Sequence, residues 1–196
     1  YGLEVITFHM TGSGGKSMES LIRQGLINAV LDVTTTELCD EIVGGTLSAG
    51  PDRLTAGIDM KIPQVISVGA LDMVNFGAKS TIPEKFLNRN LYVHNENVTL
   101  MRTTAQECEQ IAIDIANKLN KATSPISLML PLRGISAIAI EGQVFYDPVA
   151  DEALFSTLKK NVGNNVEVVE LDYAINDNEF SQALANKLIS LINEGN

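Results

Sequence analysis

The chain of 196 residues has no tryptophan, two cysteines, two histidines and an aromatic content of 5%. Cys39 and Cys108 both fall in helical patterns, without metal-ligand spacing. That suits buried thiols in a reducing compartment better than a disulfide, and no metal site is expected. Positive charge is also scarce: 14 Lys and Arg stand against 24 Asp and Glu, for a formal net charge of -10. Nucleic acid and anionic membranes both demand a basic face, so neither is an expected partner. No apolar run approaches the roughly 18 residues of a membrane span, and no signal-peptide pattern occurs, so the cytoplasm is the expected location.

What the chain does have is a glycine cluster, Thr11-Gly12-Ser13-Gly14-Gly15-Lys16-Ser17, between an apolar run and a helical pattern. Leu3 to Phe8 reads as a strand, and Met18, Leu21, Ile22 and Leu26 recur at helical spacing. The amides at a helix start have no intrahelical partner and sit at the positive end of the dipole. Glycines let an anion approach those amides, so a phosphate- or carboxylate-bearing ligand on Thr11, Gly12, Ser13, Gly14 and Gly15 is expected. A tight turn without a ligand is the alternative. A Walker A loop would need glycine where Met10 stands, and a dinucleotide fingerprint would need glycine or alanine where Ser17 stands.

Apolar runs alternate with helical patterns along the rest of the chain, which predicts an α/β, Rossmann-like domain: a mostly parallel sheet with helices on both faces. Strands are expected at Glu4 to Phe8, Ala29 to Asp32, Gln64 to Ser67, weakly at Tyr92 and Val93, at Ile126 to Leu130 and at Val166 to Leu171. Helices are expected at Gly15 to Ile27, Thr36 to Val43, Thr104 to Lys121, Pro148 to Asn161 and Asn178 to Asn193. Thr104 or Thr103 followed by Glu107 reads as a capping box. Residues 44–62 and 69–103 read as irregular, and long irregular connections tend to be functional.

Ligands of open parallel sheets bind beyond the carboxyl ends of the strands. Polar groups gather there repeatedly in this sequence: His9 and the glycines, then Thr34 and Thr35, then Asp72, then Arg133 and Gly134. Arg133 could clamp an anion with its planar fork, and Thr34 and Thr35 could donate hydroxyls. His9 and Asp72 are the acid/base candidates. Each has a plain alternative: a helix cap for the threonines, a hydrogen-bonded core position for His9, turn amides for Asp72, and an ion pair with Glu141 for Arg133.

The ordered blocks Phe8-His9-Met10-Thr11-Gly12-Ser13-Gly14-Gly15, Leu31-Asp32-Val33-Thr34-Thr35-Thr36-Glu37, Gly44-Gly45-Thr46-Leu47-Ser48-Ala49-Gly50-Pro51-Asp52-Arg53, Ser67-Val68-Gly69-Ala70-Leu71-Asp72, Leu130-Pro131-Leu132-Arg133-Gly134-Ile135-Ser136 and Ile175-Asn176-Asp177 resemble those of UPF0261, the Tm-1-like family. The resemblance covers nearly the whole chain. It implies the carboxyl-terminal lobe of a two-lobed protein whose amino-terminal Rossmann-like lobe binds ATP. The abrupt opening, Tyr1-Gly2, fits an excised domain. The domain's own cofactor is left open, with ATP possible through the amino-terminal lobe. Expected partners are therefore a small anionic ligand, that lobe, and further copies of the chain in a homo-oligomer. Two other readings stand beside ligand binding: a protein-interaction module with a structural glycine loop, and a nicotinamide enzyme using Asp32.

Overall fold

The computed structural model describes residues 2–194. Its centre is a four-stranded parallel sheet of β1 (Val30–Thr34), β2 (Gln64–Gly69), β6 (Ile126–Pro131) and β7 (Val166–Leu171), in the order β1-β2-β6-β7. β2 and β6 are buried along their whole lengths. Alternate side chains of these strands serve opposite faces, as the period of two requires. Ile66, Leu128 and Leu130 join the larger core with α4 (Ala105–Leu119) and α5 (Pro148–Asn161). Val65 and Met129 pack instead with Phe180, Leu184 and Leu191 of α6 (Asn178–Glu194). The expected parallel sheet with helices on both faces is therefore what the chain forms.

The helix ends follow from local chemistry. Thr104 caps α4: its side chain accepts from the Glu107 amide at 3.2 Å, and the Glu107 carboxylate accepts from the Thr104 amide at 2.8 Å. Asp147 caps α5, accepting from Val149 and Ala150, with Pro148 in the first turn where a missing N–H costs nothing. The expected helix over Thr36 to Val43 is a short α2 (Glu37–Cys39) that widens into a π turn over Asp40–Gly44.

Two expectations are corrected. Glu4 to Phe8 forms no strand, and Leu3, Val5 and Ile6 are exposed. Only its end is anchored, by Phe8 and Met10 against Met18 and Ile22 of α1 (Ser13–Arg23), Val30 of β1 and Ala56 of the short α3 (Ala56–Asp59). A strand needs a ladder partner, and among the described residues β1, at the edge of the sheet, pairs with β2 alone. The span 69–103 is not irregular either, since β3 (Met73–Phe76), β4 (Leu91–Asn95) and β5 (Val98–Arg102) make an antiparallel sheet in the order β3-β5-β4. Its strands are short, and the β4–β5 turn carries Glu96 and Asn97 where a glycine would have signalled a hairpin.

Candidate functional site

The glycine loop leads into α1 as the sequence suggests, and its amides do bind an anion, which is the chain's own Glu37. One Glu37 oxygen accepts from the Gly12 amide at 2.6 Å and the Gly15 amide at 3.1 Å. The other accepts from Arg53 Nε at 2.7 Å. Glu37 and Arg53 are both buried. Each glycine is demanded by neighbouring chain. A Cβ on Gly15 would stand 2.1 Å from Glu37, one on Gly14 would stand 1.8 Å from the His9 carbonyl oxygen, and Gly12 has φ +82° against the Ser48 and Leu47 carbonyls.

Arg53 holds this corner together. Its guanidinium also forks onto Asp32, with bonds of 2.5 and 2.7 Å, and approaches Glu19 at 3.5 Å. Burial works against its charge, but Asp32 and Glu37 more than offset that and hold its pKa above the ordinary value. Glu19 in turn accepts from the amides of Leu54 and Ala56 at 2.6 and 2.8 Å, tying α1 to the start of α3. Asp32 therefore faces Arg53 rather than an open ribose site. The DVTTTE and GPDR blocks contain this ion cluster, yet no local pattern pairs Glu37 with Arg53.

On the other side of the Thr34–Glu37 turn lies a crevice of about 300 Å³, lined by Val33, Thr34, Gly69, Ala70, Ser136, Asn176 and their neighbours. These residues are the carboxyl ends of β1 and β2 and the segments that follow β2, β6 and β7. Four of the blocks named above, around Thr34, Ala70, Ser136 and Asn176, meet here although they are far apart in the chain. No lysine, arginine or glutamate lines the crevice, whose polar groups are the side chains of Thr34, Ser136, Asn176 and Ser181. A cavity of about 410 Å³ lies at the opposite end, around Lys61, Pro63 and Pro125, where the strands begin.

Beneath the crevice, the Ser136 hydroxyl donates to Asp72 Oδ2 at 2.8 Å and accepts from the Ile138 amide at 3.3 Å. Asp72 is fully buried, and its Oδ1 has no hydrogen-bond partner. Burial pushes its pKa up to about 6, against the pull of the Ser136 hydroxyl and the nearby Arg102 charge. Ala70, in the crevice wall, has φ +58°, a conformation a non-glycine residue holds only when its surroundings enforce it. Its amide donates to the Ile135 carbonyl at 2.8 Å, locking the loop after β2 to the loop after β6.

The other expected site residues lie elsewhere. His9 is exposed ahead of α1, and Thr11 bonds back to the His9 carbonyl at 3.3 Å. Thr35 is buried and donates to the Ser67 carbonyl at 3.0 Å. Arg133 is on the surface in a bidentate pair with Asp172, at 2.8 and 2.7 Å, not with Glu141. Gly134 supports the crevice loop, where its carbonyl accepts from Ile175. Of the expected set, Thr34 lines the crevice and Asp72 lies behind it, bonded to the lining residue Ser136. Ser136, Asn176 and Ser181 were not singled out as functional, since isolated Ser and Asn residues carry no spacing signal. Among the described residues no His, Cys, Asp and Glu cluster could hold a metal ion, and no helix is long and apolar enough to cross a membrane.

Comparison with known proteins agrees with the block pattern. A UPF0261 protein of Clostridium tetani is 56% identical over 192 residues, covering 97% of this chain and 48% of its own length. The ToMV resistance protein Tm-1(GCR237) of Solanum lycopersicum is 48% identical over 192 residues, which are 26% of its length. A UPF0261 protein of Rhizobium meliloti is 48% identical over 182 residues, 46% of its length. The chain thus spans about half the length of the bacterial relatives named here, or less in the tomato protein. The family model for the UPF0261 C-terminal domain matches residues 1–192, and the chain belongs to that uncharacterised protein family.

Proposed function

We propose that this domain binds a small phosphate- or carboxylate-bearing molecule in the crevice beyond the strand ends, beside rather than on the glycine loop. The observation that carries the reading is the convergence of the carboxyl ends of β1 and β2 and the segments after β2, β6 and β7 on one open, uncharged polar cavity. The filling of the Gly12 and Gly15 amides by Glu37 supports the shift of the ligand away from the loop. Hydroxyls of Thr34 and Ser136 and the Asn176 amide supply the polar contacts, and the first turn of α6 contributes Ser181 and its end of the helix dipole. In the longer protein the crevice works beside an ATP-binding lobe, as the family resemblance implies, and in a homo-oligomer within the cytoplasm.

A protein-interaction role is the second reading, and one observation favours it: Val144, Tyr146 and Val149 expose large apolar surface on and before the first turn of α5. Thermal unfolding of this domain in the presence of small carboxylates and sugar phosphates separates the two. A ligand of the folded state raises the melting temperature. That rise is expected to vanish in a Thr34→Val, Asn176→Ala double variant. A rise that survives those substitutions places the ligand elsewhere and refutes the crevice reading.

A further inference from the structure

We propose that Ser136 is a nucleophile that accepts an acyl group from an activated ester or thioester in the crevice, with Asp72 as its base. The proposal rests on the crevice being the ligand site. Ser136 is the one crevice-lining hydroxyl with a buried carboxylate behind it. Its Oγ is held from two sides, donating to Asp72 and accepting from the Ile138 amide, which leaves it one lone pair.

The second, independent observation is the state of Asp72 itself. Its Oδ2 binds Ser136 while its Oδ1, in the interior, binds no other group. Two other buried carboxylates are bonded more fully: Glu37 accepts three bonds, and Asp40 accepts from Leu47 and from both nitrogens of Asn75. An under-bonded buried carboxylate keeps its affinity for a proton, and a proton acceptor is what an attacking hydroxyl needs. Its pKa of about 6 leaves it ionised at neutral pH, close to the range in which a base works best. The strained Ala70 and its bond to Ile135 fix the two loops that carry the pair.

In the step proposed, Ser136 Oγ forms a bond to the carbonyl carbon as its proton passes to Asp72 Oδ2, and the carbonyl electron pair moves onto oxygen. Collapse of that intermediate breaks the bond to the leaving alkoxide or thiolate, which takes the proton back from Asp72. The result is an acyl-serine, with no oxidant or metal consumed.

A fluorophosphonate tests this directly, since Ser136 would displace fluoride from phosphorus and give up its proton to Asp72. Peptide mapping by mass spectrometry is expected to find the phosphonyl group on Ser136, with a rate that rises as pH passes about 6. Asp72→Asn is expected to slow labelling at least tenfold and to flatten that rise. Circular dichroism checks that the variant folds, and if it does not, the wild-type pH profile decides. Labelling absent from Ser136, or a wild-type rate indifferent to pH across that range, overturns the proposal. Alkylation of an Ala137→Cys variant, at an exposed crevice position, separates the two ideas. Ready alkylation with no Ser136 labelling removes the nucleophile but not the binding crevice, whereas a Cys that resists alkylation removes both.

Discussion

Replacing Glu37 with alanine empties the place that the glycine loop was built around. The buried carboxylate accepts from two amides and from Arg53, so the variant leaves two buried N–H groups and one guanidinium N–H without their partner. Removing one member of a buried ion pair costs about 3–5 kcal/mol. The lower end applies here, because Arg53 keeps Asp32 and Glu19. For a domain of this size each kcal/mol moves the melting temperature by about 2–4 °C, so a fall of about 6–12 °C is expected for a loss near 3 kcal/mol. Acetate should then refill the vacated carboxylate position. At ten times its dissociation constant it would restore about 1.4 kcal/mol. Wild-type protein, whose loop is already filled, should gain nothing from acetate over chloride at equal ionic strength. Melting curves of both proteins across an acetate series measure this. A loss below about 1 kcal/mol, or equal acetate responses in the two proteins, would refute the internal-anion account.

Gly14→Ala drives a Cβ into the His9 carbonyl, so it should destabilise the fold by at least 1–3 kcal/mol in urea unfolding, and an unchanged midpoint would contradict the packing seen there. Val5→Lys and Ile6→Lys should each stay within about 0.5 kcal/mol in the same assay, because the segment is exposed and unpaired, whereas a strand in a ladder would respond more strongly. Asp40 and Asp72, both raised by burial to about 6, each contribute to the pH dependence of stability. Between about pH 4 and 6 the folded protein keeps protons that the unfolded chain has released, so this contribution is complete below about pH 4 and is lost as pH rises through 6. Each group accounts for roughly 2–3 kcal/mol of that loss. Asp72→Asn should flatten its share of the slope in unfolding free energies taken from pH 4.5 to 7.5, and a slope identical to wild type would show that Asp72 titrates normally.

Elements whose signals are local were legible. The Thr104–Glu107 box and Asp147-Pro148 mark helix starts by side-chain bonds made within a few residues. β2 and β6 read as strands because their runs are apolar on both faces, as buried parallel strands are. Leu3 to Phe8 carries the same composition and failed, because β propensity describes a fit to a sheet and no neighbouring strand pairs with it here. Of the β3–β5–β4 sheet only β4 was expected, weakly, at Tyr92 and Val93, and β3 and β5 were missed for the opposite reason: these short strands have little pattern of their own and gain their stability from pairing across the sheet.

The same division holds at the site. By itself, the sequence determined the parallel α/β architecture and the glycine turn at a helix start, because periodicity and glycine steric freedom act over short spans. Only the tertiary structure decided what the turn binds and where the polar groups meet. Glu37 lies 22 residues from Gly15, and Ser136 lies 64 from Asp72. Contacts at such separations are set by strand order and loop path, which no local spacing encodes.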